Sequence, residues 1–324
     1  MLFDSPQEIQ SRMNQYGKEG KPFFFALNFE MTEGFFIKEP LSQSDILFQF
    51  NDRGNFNIPV KIMEEVKFEY APLSLSEYKE KFDIVHDGLR KGYSYLTNLT
   101  VKTPVYFDTS LEEIFLQSKA PYKILLPKRF ICFSPERFVK ISGKTISTNP
   151  MKGTIDATIP DAEAIILNDF KETAEHNTIV DLLRNDLSII ADNVKVDRFR
   201  YIDRITTNKT DILQVSSEIT GTLRDNYQNL GDIIFGMLPA GSISGAPKNA
   251  TLDIIRQAEN IPRGYYTGVC GYYDGKELDS AVMIRYIEQE NDRYYFRSGG
   301  GITAYSNCES EYKEVLEKIY LPIR

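Results

Sequence analysis

Segments with strand and helix periodicity follow one another in blocks along this chain, without the regular β-α-β alternation that builds a parallel sheet. Strands arranged in blocks pair with near neighbours through turns, so the expected class is α+β with a largely antiparallel sheet. The first 70 residues read as strands. Phe23 to Glu30, Phe35 to Glu39 and Ile46 to Phe50 are rich in aromatic and β-branched residues, with turn residues between them. Ser76 to Lys91 reads as a helix that Ser76 caps, with Tyr78, Phe82, Ile84, Val85 and Leu89 as its apolar stripe. Strands return at Tyr93 to Val101, Lys123 to Leu126, Phe130 to Phe133 and Arg137 to Ser142. One long helix is expected from Asp161, just after Pro160, to Leu187. Another starts near Ala246-Pro247-Lys248 and runs to Glu259. Thr267 to Tyr273 and Ala281 to Gln289 are strands joined around Asp274-Gly275. Tyr294 to Arg297 is a further strand, Gly299-Gly300-Gly301 follows it, and Glu309 to Tyr320 is a closing helix.

Charge and composition remove several classes of function. The 38 Lys and Arg against 46 Asp and Glu leave a net charge of −8, which opposes binding to a phosphate backbone. No stretch approaches the roughly 20 apolar residues of a membrane helix, and the first residues lack the basic and apolar regions of a signal peptide. Cys132, Cys270 and Cys308 are odd in number and far apart, which argues against disulfides or a zinc site and for a reducing cytoplasm. With His86 and His176 as the only histidines, the composition also argues against a multi-histidine metal site.

Four stretches could carry chemistry. Glu172 and Glu175 are three apart on the long helix, hence on one face; a solvated acidic face is the plainer reading of that segment alone. The closing helix repeats the spacing with Glu311 and Glu314, and Lys318 lies four further on. Two paired-carboxylate helices without histidine or cysteine clusters suit a hard, oxygen-seeking cation, Mg²⁺. Gly241 to Lys248 superficially resembles a P-loop, but Ala246-Pro247 separates glycine from lysine, leaving a Gly/Ser turn at a helix start. The three glycines 299–301 allow close approach of backbone to a ligand. Lys152, between Pro150 and Gly153, sits in a rigid turn and is either a surface charge or a nucleophile or substrate clamp.

Together these stretches resemble the chorismate-utilising enzymes, a family that includes aminodeoxychorismate, anthranilate, isochorismate and salicylate synthases. The matching residues run from Ser134-Pro135-Glu136 through Pro150 to Thr154, Glu175 to Leu187, Gly241 to Lys248, Gly264 to Gly268, Ile284-Arg285 and Gly299 to Gly301, ending at Glu311 to Lys318. The resemblance implies one intertwined chorismate-binding catalytic domain over 1–324, with a shortened N-terminal strand region at 1–75 and the family core at 120–324. Its fold would be large, mainly antiparallel sheets packed face to face with helices outside.

Within the family, Lys152 in Pro-x-Lys-Gly-Thr is typical of aminodeoxychorismate synthases, whereas anthranilate synthases carry alanine there. Leu96 stands where isochorismate and salicylate synthases carry a water-activating lysine, and leucine cannot be a base. The implied reaction replaces the C4 hydroxyl of chorismate by ammonia, giving 4-amino-4-deoxychorismate for p-aminobenzoate and folate. By resemblance, Mg²⁺ is held by Glu175 and Glu314 with Glu172 and Glu311 in support. Tyr266 and Arg285 hold the enolpyruvyl carboxylate. Thr154, Gly299, Gly300, Gly301 and Lys318 face the ring. Lys152, Glu136 and Gln214 are the catalytic candidates; Gln214 replaces a histidine of many members and cannot shuttle a proton near neutral pH. Ammonia is expected from a separate glutamine amidotransferase subunit. The alternatives are an anthranilate synthase component I and a noncatalytic chorismate-binding subunit.

Overall fold

Five consecutive apolar residues, Phe23–Leu27, are buried on both faces, so layers must cover both sides of their strand. In the computed structural model, which describes residues 3–56, 66–206 and 211–323, those layers are a second sheet and a set of helices. Phe24 and Ala26 join Phe48, Tyr122, Phe130 and Tyr286 in the core between two sheets. Phe23, Phe25 and Leu27 point the other way, onto Ile9, Met13, Leu183, Leu187 and Ile233 of the covering helices. A further cluster, with Ile114, Phe115 and Ile319, covers the outer face of the second sheet. The order of layers is helices, sheet, sheet, helices.

Among the described residues each sheet has nine strands, and every recorded pairing is antiparallel. The first sheet runs from Met151–Asp156 through Asp211–Leu223, Thr145–Thr148, Arg137–Ser142, Glu277–Val282, Val269–Tyr273 and Phe23–Leu27 to Gly34–Lys38, with Ala191–Thr206 beside Asp211–Leu223. The second runs from Gly245–Ala246 through Leu96–Phe107, Arg293–Ile302, Tyr286–Glu290, Phe130–Ser134, Tyr122–Leu126 and Leu47–Phe50 to Arg53–Gly54, with Phe68–Tyr70 beside Leu96–Phe107. N-terminal strands thus pair with C-terminal ones, as in Phe23↔Tyr273. The α+β class, with sheets face to face and helices outside, is the one expected. No helix among the described residues is long and apolar enough to cross a membrane, and the three cysteines are free.

Several elements differ from expectation, each for a local reason. The N-terminal region opens with a helix, Pro6–Lys18, closed by a capping box between Ser5 and Glu8 and led by Pro6. The next helix is Leu75–Arg90, and its cap is Ser74 rather than Ser76: Ser74 pairs reciprocally with Glu77, three residues on. Ile84 falls off its buried stripe and is 39% exposed. The single helix expected from Asp161 to Leu187 is two, Ala162–Asn168 and Phe170–Ser188, because Asp169 turns extended and accepts the Glu172 amide as an N-cap. Ala281 to Gln289 is also two strands: the chain leaves the first sheet at Val282 and enters the second at Tyr286. Helices at Leu111–Gln117 and Leu230–Met237 complete the covering layers.

The corrected cap is testable. Ser74→Ala should destabilise the protein by about 1 kcal/mol in denaturant unfolding, whereas Ser76→Ala, beyond the cap, should change it by less than about 0.5 kcal/mol.

Candidate active site

The cavity opens where the chain changes sheets. Arg285, in the crossing between Val282 and Tyr286, takes a left-handed φ of 53° and lines a cavity of about 660 Å³ together with Tyr266 and Glu136. Its Nε donates to the Tyr320 hydroxyl at 3.2 Å, and Tyr320 also lines the cavity. On the first-sheet side the wall is Met151–Asp156, which is a bulged strand and not the expected turn. Gly153 makes the bulge, with φ 87°, and a Cβ there would lie 2.9 Å from Glu172 Oε2; only glycine brings this strand so close to the acidic helix. Lys152 and Thr154 flank it, and Thr154 pairs with Gln214 on the neighbouring strand.

The second-sheet side is the strand Arg293–Ile302. The glycines do not follow this strand but lie inside it, with Gly299, Gly300 and Gly301 paired to Thr100, Leu99 and Asn98. A Cβ on Gly300 would sit 3.6 Å from Glu314 Oε1 and 3.7 Å from both Glu311 Oε2 and Lys318 Nζ, so bare backbone faces the acidic cluster. Leu96 also lines the cavity.

The two acidic helices do converge. Lys152 Nζ lies 2.7 Å from Glu175 and 4.0 Å from Glu314, bridging the helix Phe170–Ser188 to the helix Cys308–Glu317. Lys318 pairs with Glu314 at 2.7 Å and donates to the Gly299 carbonyl at 2.8 Å. Lys171 lies 3.7 Å from both Glu175 and Glu311, a second link between the helices. Every residue expected at the site lines the cavity except Glu311, which is buried next to Gly300 on the same side as Glu314.

Burial and charge compete at each group. Burial pushes the Lys152 ammonium toward losing its proton, but Glu314, Glu175 and Glu172 outweigh it and raise its pKa above the usual lysine value. Burial also opposes ionisation of Glu314, yet Lys318 and Lys152 hold its carboxyl down to about 2. Glu172 and Glu311 go the other way, raised by burial against weaker help from lysines. Glu136 is likewise raised by burial, against a hydrogen bond from Ser242 at 2.5 Å and the charges of Arg285 and Lys318. Lys318 is lowered by burial, with Glu314 opposing.

The donor set fits a hard cation. All its atoms are carboxylate oxygens, and two of them, Glu172 Oε2 and Glu311 Oε1, are buried without a hydrogen-bond partner. Among the described residues no group of three or more His, Cys, Asp or Glu forms a ready-made cage. Between Glu175 and Glu314 the Lys152 ammonium already serves as counter-ion.

Sequence reasoning missed Lys171, Ser242 and Tyr320. Lys171 was legible: it precedes Glu175 by four residues on a helix, the spacing of an ion pair. Ser242 and Tyr320 carry no such signal, since only the tertiary fold brings them to Glu136 and Arg285.

This fold and site define a chorismate binding enzyme, and the chain belongs to that family, matched over residues 63–324. Over its whole length it is similar to an uncharacterized PabA-like protein of Haemophilus influenzae, 51% identical over 325 residues, covering 100% of this chain and 99% of that one. It is 30% identical over 268 residues to aminodeoxychorismate synthase component 1 of Bacillus subtilis, covering 77% of this chain but 55% of that protein, so it spans about half that relative's length. An anthranilate synthase component 1 of Haloarcula marismortui is 31% identical over 271 residues, covering 79% and 54%. In fold it resembles the crystal structure of a putative 2,3-dihydroxybenzoate-specific isochorismate synthase from Bacillus anthracis, with a TM-score of 0.73 at 18% identity over 98% of this chain and 89% of that one.

His176, beside the acidic pair, gives a pH-dependent prediction. It is fully buried, with Nε2 2.7 Å from the Ser217 hydroxyl, and burial, aided by Arg200, pushes its pKa from 6.5 down to about 4. The folded value lies below the unfolded one, so its contribution is complete above pH 6.5 and is lost as pH falls toward 4. The stability difference between wild type and His176→Gln should therefore shift by about 3 kcal/mol across that window. Parallel curves for the two proteins in urea titrations at several pH values would contradict it.

Proposed function

We propose that this chorismate-utilising enzyme is an aminodeoxychorismate synthase component I, converting chorismate and ammonia to 4-amino-4-deoxychorismate. One observation carries the reading: Lys152 lines the cavity as a primary amine between the two acidic helices, where the resemblance to anthranilate synthases would require alanine. Leu96, also in the wall, supplies no base to activate water.

Arg285 and Tyr266 would bind the enolpyruvyl carboxylate, the planar guanidinium making two hydrogen bonds. Thr154, Lys318 and the backbone of Gly299, Gly300 and Gly301 would border the ring, with Gln214 as a neutral hydrogen-bonding neighbour. Glu175 and Glu314 would hold Mg²⁺, supported by Glu172 and Glu311. Bound there, the ion supplies charge neutralisation for the ring carboxylate and Lewis acidity. Glu136, which burial keeps inclined to hold its proton, would protonate the departing hydroxyl. In the covalent route the neutral Lys152 amine donates its electron pair to C2, both ring double bonds shift one position toward C4, and the C4–O bond breaks with its electrons, the oxygen leaving as water after taking a proton. Ammonia then adds at C4, the double bonds shift back, and the C2–N bond to Lys152 breaks.

The raised pKa of Lys152 and its ion pair with Glu175 support a second role, an ammonium that clamps the leaving oxygen without covalent bonding. Ammonia would come from a separate glutamine amidotransferase subunit. Burial raises the pKa of Cys132, Cys270 and Cys308, which disfavours the thiolate that a glutaminase nucleophile needs.

Incubation with chorismate, ammonium and Mg²⁺, followed by an added lyase and mass spectrometry, should yield p-aminobenzoate, and chelation should stop it. Formation of o-aminobenzoate would make the chain an anthranilate synthase; unchanged chorismate would make it a noncatalytic binding subunit. Lys152→Arg separates the two lysine roles, because guanidinium keeps the charge and offers no nucleophile. Covalent catalysis predicts that the arginine variant loses about 10³-fold or more in kcat, as alanine does. An arginine variant within about tenfold of wild type would leave only the clamp.

A further inference from the structure

We infer that the buried Arg263–Glu259 pair is a positioning device that stands in for a missing edge strand and keeps three walls of the chorismate cavity in register. Its claim on substrate affinity rests on the chorismate reading above. The two side chains are 1% and 2% exposed, and neither lines the cavity.

The need for it lies in the sheet. The strand Leu96–Phe107 pairs on one side with Arg293–Ile302 along the glycine run. Among the described residues, Gly245–Ala246 covers Thr97 and Leu96 on its other side, and the stretch from Phe68 to Ala71 covers Phe107 to Pro104. Between these two short partners the outward backbone groups need other hydrogen bonds. The ion pair supplies them as a strand would. Arg263 Nη2 donates to the Asn98 carbonyl at 2.7 Å, and the Thr100 amide donates to Glu259 Oε1 at 2.8 Å. Asn98 and Thr100 are the residues paired with Gly301 and Gly299.

The same guanidinium reaches the other two walls. Nη1 donates to the Ile243 carbonyl at 2.9 Å, next to Ser242, whose hydroxyl orients Glu136. It also lies 3.4 Å from the Thr267 hydroxyl, next to Tyr266. Nε and Nη2 close the pair on Glu259 at 2.9 and 2.6 Å, and the Phe29 ring lies 4.5 Å beneath. A fork of fixed geometry thus sets the spacing of the glycine strand, the Ser242 turn and the Tyr266 turn. A buried ion pair is commonly no more stabilising than apolar residues of equal volume. Apolar residues could not pair with the backbone of Asn98, Thr100 and Ile243, so the role of this pair lies in its hydrogen-bond geometry rather than in charge attraction.

Single truncations would strand a buried charge, so the test uses the apolar pair Arg263→Met with Glu259→Leu. Three readouts apply: thermal melting, chorismate affinity by calorimetry, and hydrogen exchange at the amides of Thr100 and 299–301. The double variant leaves the Asn98 and Ile243 carbonyls and the Thr100 amide without these partners, so it should fold but melt below the wild type, bind chorismate about tenfold or more weakly, and exchange those amides at least about tenfold faster. Native melting with wild-type affinity and exchange would overturn the proposal. If the double variant does not fold, Arg263→Lys decides. That variant keeps the charge but loses the fork, and wild-type affinity and exchange in it would equally overturn the inference. Should the wild type itself not bind chorismate, the substrate reading fails, while the exchange readout still judges the positioning role.

Discussion

Four carboxylates turned toward one small volume repel one another, and the cavity holds its shape because lysines are threaded between them. Lys152, Lys171 and Lys318 each lie within 4.0 Å of at least one of Glu175, Glu311 and Glu314. Lys152 and Lys318 are partly shielded from water and couple to their neighbours, whereas the Lys171 side chain is half exposed. That coupling explains opposite outcomes for similar groups: Glu314, with two lysines near it, is held down to about 2, whereas Glu311, deeper and further from them, is raised by burial.

The double-sheet scaffold makes the convergence possible. Each acidic helix packs against a different sheet: Phe170–Ser188 sends Val180, Leu183 and Leu187 into the core of the first, and Cys308–Glu317 packs against the second-sheet strands through Val315. The sheets are tied by side chains that interdigitate between them and by the crossing that carries Arg285. A group on a sheet-to-sheet crossing faces the gap between layers by necessity. Helix spacing then places Glu172 beside Glu175, and Glu311 beside Glu314, on inward faces.

Much of this was legible in the sequence, and the limits have physical causes. The i, i+3 carboxylates, the lysine beside Gly153 and the apolar strands announce themselves through local periodicity and spacing. The break at Asp169 was hidden because apolar periodicity continues across it, while the decisive signal was the capping preference of a single aspartate. Ser74 and Ser76 are equally good caps by type; the choice fell to Glu77, three residues after Ser74. The glycine run looked like a strand end because glycine is a poor strand former, yet it stays paired because the neighbouring backbone supplies every rung. Arg263 and Glu259 gave no sequence signal of a role near substrate, since their partners come from residues 98, 100 and 243.

An acidic protein that uses a dicarboxylate must invert its own field locally. At physiological salt, charges more than about 8 Å from the cavity are largely screened, so the net charge of −8 matters little beside the groups lining it. Lys152, Arg285, Lys313 and Lys318 line the cavity against Glu136, Glu172, Glu175, Glu314 and Glu317, so the wall carries no excess of basic groups. Two substrate carboxylates entering such a site would leave it short of positive charge. A divalent cation, were one held by these glutamates, would offset that deficit. For Lys152 the requirement is separate: Glu314, Glu175 and Glu172 already hold its proton against burial, and substrate carboxylates alone would strengthen that hold.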